Sequence, residues 1–313
     1  MSKYGTPSPQ MVQKSVLSEQ QNSSSIITDL KALFKAKVLI LNVLPVFCGY
    51  WLALYFNHTS IGAHWDLFWL TMIGSTLVMA GALVLNNWYD VDIDTVMERT
   101  KERPTVTGNF SLKFVLWLGI SLSVLGFIFL LFTTIEATIY AFIGWFTYVV
   151  LYTMWSKRKY TLNTVIGSIS GAVTPLIGWT VIASGLHIIP IVLALIIFIW
   201  QMPHTFAIAM KKYDDYKAAN VAMLPVVHGF DVTKRQILVY VTCLLPFPIF
   251  LESLGFGFII IATLLNIGWI VLSVRGFFTK DDMKWAHMVF LYSVNYLMVL
   301  FLLMIIVTLP VFN

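Results

Sequence analysis

The sequence predicts an all-α, polytopic membrane bundle, and three observations lead there. The first is composition: of 313 residues, 58% are hydrophobic and only 11% charged, with a mean hydropathy of +0.82. That lies outside the range of water-soluble domains. The second is length. Apolar residues fall in nine runs, near 38–56, 67–86, 114–133, 136–155, 162–184, 187–209, 236–254, 256–274 and 285–309, each close to the ~20 residues a helix needs to cross a bilayer. They are continuously apolar, whereas a membrane β-barrel shows short alternating segments. The third is charge. All 20 Lys and Arg residues lie in the N-terminal segment and in the connections after spans two, four, six and eight. The positive-inside rule then places the N-terminus in the cytoplasm and Asn313 outside. The membrane accounts for the net charge of +5, and no nucleic-acid partner is implied.

Residues 1–30 are polar, with Ser and Gln clusters, and read as a disordered cytoplasmic tail. They lack the apolar centre of a secretory signal and the Arg residues of a mitochondrial transit peptide. Residues 31–313 form the transmembrane domain. Its first span opens on Lys35-Ala36-Lys37 and carries Asn42, which either bonds to a neighbouring helix or lines a pocket. His58 and His64 lie in a short connection with Asp66 and could bind a metal or haem, but with no third histidine or cysteine nearby they read as ordinary loop histidines. Cys48 and Cys243 lie inside spans, as small packing residues.

Span two ends in Asn86-Asn87-Trp88-Tyr89-Asp90-Val91-Asp92-Ile93-Asp94. On a continuing helix Asn86, Asn87, Asp90 and Asp94 share one face and Asp92 points away. Carboxylates so close repel one another, and a hard divalent cation relieves that repulsion; the plainer alternative is a solvated helix end. The connection that follows, roughly 87–113, is long for a bundle and carries Arg99, Arg103 and six further charges before Lys113, which favours function. The connection after span four, Trp155 to Tyr160 with Lys157 and Arg158, reads as a positive anchor in an aromatic belt. Span five holds Gly167, Gly171 and Gly178 with Pro175, predicting close helix packing and a kink.

Span six ends in Trp200-Gln201-Met202-Pro203-His204, followed by Lys211 and Asp215. If the helix survives Pro203, His204, Ile208, Lys211 and Asp215 share a face, and Gln201 lies one turn before His204. Polar groups at this depth are costly and usually functional. The second acidic site follows span six as the first follows span two. Two pseudo-repeated four-helix halves plus a ninth helix are therefore expected, with both carboxylate sets converging on one cavity. Spans seven to nine show only Asn266, Ser293 and Asn295 as polar residues of note and read as packing.

Carboxylates, a divalent cation and Lys or Arg at the mouth of an apolar cavity suit an apolar chain ending in a diphosphate. The cations offset the buried charge and stabilise the leaving diphosphate. Aromatic faces can hold the resulting allylic cation.

At these residues the chain resembles a family. Asn86-Asn87, Asp90 and Asp94 are similar to the first aspartate motif of the intramembrane aromatic prenyltransferases, the UbiA superfamily. Asp92-Ile93-Asp94, Met97-Glu98-Arg99-Thr100, Arg103-Pro104, Trp200 to His204, Asp215 to Asn220 and Met223 to Val227 resemble the protohaem IX farnesyltransferase (haem O synthase) branch. The resemblance covers about residues 35–310. Where the superfamily's second motif has its first Asp, this chain has Lys211.

The resemblance implies farnesyl transfer from farnesyl diphosphate to a vinyl group of haem B, with Mg²⁺ as cofactor, in a bacterial plasma membrane with the active site facing the cytoplasm. It assigns Mg²⁺ to Asn87, Asp90, Asp94 and Asp215, with Asn86 orienting ligands or diphosphate. Arg99, Arg103, Lys157, Arg158, Lys211 and Lys37 are assigned to the diphosphate, and His204 and Gln201 to haem. It implies membrane lipid as surroundings, and partner haem-modifying or oxidase-assembly proteins. The other readings are a prenyltransferase acting on a quinone precursor, a secondary transporter, or a non-catalytic haem-binding assembly factor.

Overall fold

The computed structural model describes residues 26–309, and within them the chain is helical. The expected tail therefore lies almost wholly outside the described residues, except that 26–30 belong to a first helix, α1 (26–33). The first span is α2 (Ala36–Phe56) and the second α3 (Trp65–Tyr89). Two single turns, α4 (Val91–Asp94) and α5 (Pro104–Thr107), punctuate the long connection. Then come α6 (Leu112–Leu131), α7 (Ile135–Ser156), the short pair α8 (Asn163–Ala172) and α9 (Thr174–Trp179), and α10 (Ile188–Lys211). The chain ends with α11 (Tyr213–Ala218), α12 (Leu224–Cys243), α13 (Phe256–Arg275) and α14 (Asp282–Val307).

Among the described residues eight helices are long and apolar enough to cross a membrane. The expected nine differ by the fifth, which is present as α8 and α9. Thr174 and Pro175 open the second piece, and proline breaks the hydrogen-bond ladder. Span seven begins earlier than expected. Gly229 interrupts α12 with φ 77°, a conformation that favours glycine, and the helix resumes with Lys234 and Arg235 inside it. Lys234 is buried and its Nζ lies 2.5 Å from Asp282, which is how a charge expected in a connection is accommodated in a helix.

Consecutive spans pack side by side, and α14 returns to α2 to close a ring. The Trp51 indole donates to Thr308 Oγ1 across that seam (2.9 Å). Backbones approach closely where glycines allow it. A Cβ on Gly178 would stand 1.9 Å from Val46 O, and one on Gly49 2.1 Å from Pro175 O, so α9 lies directly on α2. The small residues of span five thus pack as their composition predicts. The largest apolar cluster joins α2, α10, α12, α13 and α14, with Trp179, Trp269 and Trp285 fully buried.

Three connections at one end of the bundle fasten to each other. Ile93 and Met97 pack with Val221 and Met223, Arg99 lies 5.9 Å from the Tyr216 ring centroid, and Asn163 donates to Ala222 O (3.0 Å).

Candidate active site

The helical path of α3 does continue through the acidic motif. Asp90 N bonds to Asn86 O and Asp94 N to Asp90 O, so Asn86, Asp90 and Asp94 are stacked turn on turn. All three are buried, as is Asn87. Asp92, expected to point away, does so: its side chain is 64% exposed and held by Arg158 in a two-pronged pair (2.5 and 2.7 Å). That hydrogen bond holds the Asp92 carboxyl below the usual carboxylate range.

A buried carboxylate needs partners, and each has a cation. Asp90 pairs with Lys157 and accepts from Asn86 Nδ2 (2.7 Å), with Arg158 Nη2 3.7 Å away. Asp94 pairs with Arg103. Lys157 is brought in by a π-helical turn, Thr147–Ser156, that widens the end of α7. π-helical turns recur at functional sites. Thr153, within it, accepts from Asn86 Nδ2 (3.1 Å).

The basic start of α2 also contributes, through Lys35. Lys37 is exposed, whereas Lys35 adopts a left-handed backbone (φ 47°) and donates to Asn86 Oδ1. Burial, then the neighbouring Arg103 and Lys157 charges, push its pKa well below the ordinary lysine value.

Asn87, whose Nδ2 donates to Leu33 O (2.7 Å), and Asp90 each keep one side-chain oxygen, Asn87 Oδ1 and Asp90 Oδ1, buried without a hydrogen-bond partner. Orphaned hard oxygens beside a carboxylate are a donor set suited to Mg²⁺. The four-residue set does not gather, however. Asp215 lies half-buried on α11, and among the described residues no three His, Cys, Asp or Glu side chains come together to hold a metal. The reason is local: α10 survives Pro203 but ends at Lys211, and Lys212 (φ −115°, ψ 30°) turns the chain before α11. Asp215 is therefore not a continuation of the His204 face.

Two cavities lie within the ring. The first, about 170 Å³, runs along the α3 face below Asn86 (Ser75, Val78, Ala82) and along Trp145 and Tyr148 of α7. The second, about 330 Å³, runs along α10 (Gln201, His204, Ile208) opposite Leu297 and Phe301 of α14. Val38, Asn42, Thr174 and Gln201 line both, so Asn42 is a pocket residue. Gly171 admits the Gln201 amide, since a Cβ there would stand 2.4 Å from its Oε1.

His204 is half-buried between Trp200 (centroids 4.5 Å, stacked) and Phe290 (5.3 Å). Its Nδ1 lies 2.7 Å from Ser293 Oγ. The Ser293 hydroxyl donates to Phe290 O (2.6 Å), so His204 Nδ1 carries the proton and Nε2 keeps a lone pair. Lys211 is not with the acidic cluster: its Nζ lies 2.7 Å from His287 Nδ1 and 4.3 Å from the Phe290 ring centroid.

Sequence reasoning passed over Lys35, Thr153, Tyr148, His287 and the Ser293 partnership. For Lys35 the signal existed, a basic pair at the start of α2, but not which member turns inward.

An apolar two-chambered interior beneath a rim of paired carboxylates and cations defines an intramembrane enzyme for substrates with an anionic head and an apolar body. The chain belongs to the UbiA prenyltransferase family, which matches residues 42–295, and it is a multi-pass membrane protein. It is 52% identical over 314 residues to the Protoheme IX farnesyltransferase of Oceanobacillus iheyensis, covering 100% of both chains. It is 57% identical over 283 residues to that of Bacillus cereus, covering 90% of this chain and 92% of the relative. In fold it is similar to the solved structure of a digeranylgeranylglyceryl phosphate synthase (TM-score 0.72, 19% identity, 90% of this chain and 98% of that one). It is likewise similar to a UbiA homologue from Archaeoglobus fulgidus bound to GPP and Mg²⁺ (TM-score 0.63, 14% identity, 88% and 99%).

Proposed function

We propose that this chain transfers the farnesyl group of farnesyl diphosphate to a vinyl group of haem B, making haem O and releasing diphosphate. The observation that carries the proposal is full-length 52% identity to a Protoheme IX farnesyltransferase. The two chambers beneath one charged rim support it. The chain would lie in a bacterial plasma membrane, with the basic connections and the rim on the cytoplasmic side.

The farnesyl chain would enter along the first cavity, below Asn86, with its diphosphate at the rim. Lys35, Lys157 and Arg103 face the charge that develops as the C1–O bond breaks and the diphosphate leaves with the electron pair. Asn87 and Asp90 would hold Mg²⁺, with Asp94 adjacent, and the ion when bound neutralises the diphosphate and eases its departure. Tyr148 and Trp145 line the chamber and present ring faces to the allylic cation, while the apolar walls keep water from quenching it. The vinyl carbon attacks C1. The cation left on the adjacent porphyrin-side carbon takes the oxygen of water, and a proton is released. A vinyl group needs no deprotonation to react, so this step asks for no general base to activate the acceptor. His204, through Nε2, faces haem in the second cavity.

The test is purified protein in lipid with haem B, farnesyl diphosphate and Mg²⁺, read by mass spectrometry. A hydroxyethylfarnesyl porphyrin, lost with EDTA, is the expected result. Prenylation of a quinone precursor with no haem product would refute the acceptor.

A further inference from the structure

Haem carries two carboxylates of its own, and the rim has two separate cationic places. The first is the Lys35, Lys157 and Arg103 cluster above the first cavity. The second is Lys211 with His287, at the end of the α10 face that lines the second cavity. Lys157, Arg103, Arg158 and Lys234 each have a carboxylate partner. Lys211 has no ion pair among the described residues, and its Nζ lies within hydrogen-bond distance of His287 Nδ1 (2.7 Å).

The chemistry of that pair is specific. Lys211 Nζ donates to His287 Nδ1, which makes His287 the neutral tautomer with a proton on Nε2. Two ammonium protons and one imidazole N–H remain for an incoming anion. Lys211 follows His204 by seven residues, two turns, or ~10 Å along the axis. That is about the distance from a porphyrin's centre to its propionate carboxylates. Ile208 lies between them on the same apolar wall.

We infer that Lys211 and His287 form the carboxylate-recognising end of the haem site, and that they do not serve the diphosphate. The inference rests on the haem reading above and orients the substrate within it. The propionates sit at the charged rim on the α10–α14 seam, the iron faces His204, and the opposite edge of the ring points toward Asn42 and Gln201, which both cavities share. Each substrate's anionic group then has its own cations, so haem and farnesyl diphosphate do not compete at the rim.

The test compares haem B with its dimethyl ester, whose propionates are uncharged, using absorbance titration for binding and mass spectrometry for turnover. The native protein is expected to bind haem B about tenfold tighter than the ester. Lys211→Gln and His287→Ala should remove most of that preference and raise the KM for haem about fivefold or more, with the KM for farnesyl diphosphate unchanged. Lys212→Gln, on the exposed neighbour, should change neither. A native protein that binds ester and acid equally would overturn the inference. So would a Lys211→Gln variant whose KM rises for farnesyl diphosphate instead. Preferential binding of the acid without any prenylated product would refute the transfer reading while leaving the carboxylate site standing.

Discussion

The pairing of Asp90 with Lys157 makes a prediction that separates stability from catalysis. Asp90 is 1% exposed and Lys157 12%. Asp90→Asn leaves a nearly buried ammonium facing an amide, and removing one partner of a buried pair costs about 3–5 kcal/mol. The residual exposure of Lys157 argues for the lower end, about 3 kcal/mol, a large share of the ~5–15 kcal/mol that holds a typical fold together. Lys157→Met strands the carboxylate in the same way. The double variant removes both charges, so its cost should be no larger than either single cost, a coupling of at least ~3 kcal/mol. Unfolding in mixed micelles, followed by the fluorescence of the 11 tryptophans, gives the three energies. Turnover should be lost in all three variants, including the double variant whose fold is restored. Single costs that simply add would refute the buried pair, and full turnover in Asp90→Asn would remove Asp90 from the metal site.

Three further outcomes follow from the geometry. Gly178→Ala drives a Cβ into the backbone of α2 (Val46 O at 1.9 Å, Tyr50 N at 2.8 Å), so it should cost at least ~3 kcal/mol; Gly257→Ala, with open space around it, is the control, and equal unfolding midpoints would contradict the packing of α9 on α2. Lys35, its pKa depressed by burial and by Arg103 and Lys157, binds an anion when protonated. Diphosphate binding should therefore take up a proton, and affinity should fall as pH rises through that depressed pKa; calorimetry in buffers of different ionisation enthalpy reads the uptake, which Lys35→Met should abolish. Ser293→Ala frees the His204 tautomer and should weaken haem binding about tenfold, His204→Ala more, with farnesyl diphosphate binding unchanged in both; an unaltered haem spectrum in His204→Ala would rule out ligation.

Much of this arrangement is legible in the chain. The stacking of Asn86, Asp90 and Asp94 follows from their spacing because the backbone remains helical beyond Tyr89. Hydropathy locates the spans but counts residues without testing continuity, so it joins α8 and α9 across the break at Pro175. The shared face expected from His204 to Asp215 ends for the converse reason: Lys212 turns the chain, and spacing ceases to specify a face. Lys35 and Lys37 lie two residues apart, which on a helix puts them on nearly opposite sides. Only the left-handed residue at the start of α2 decides between them. The π-helical end of α7 has the same apolar, aromatic composition as an α-helix, yet it sets where Lys157 falls. Lys234 reads as a loop charge until Asp282, far along the chain, is placed beside it.

These partners also bear on how the site takes substrate. Asp90 and Asp94 are neutralised by Lys157 and Arg103, which lets two carboxylates be buried without prohibitive cost. The same cations suit the diphosphate, and the same carboxylates suit Mg²⁺. Binding would then be an exchange of partners at nearly constant charge: Lys157 and Arg103 pass from carboxylate to diphosphate, and the freed oxygens, with the orphaned Asn87 Oδ1, pass to the metal. One divalent cation does not fully neutralise a diphosphate, and the remaining negative charge would draw the depressed pKa of Lys35 back toward its ordinary value. Metal and prenyl diphosphate should accordingly bind together far better than either alone. Tight binding of farnesyl diphosphate in EDTA, undiminished from its affinity with Mg²⁺, would contradict that exchange.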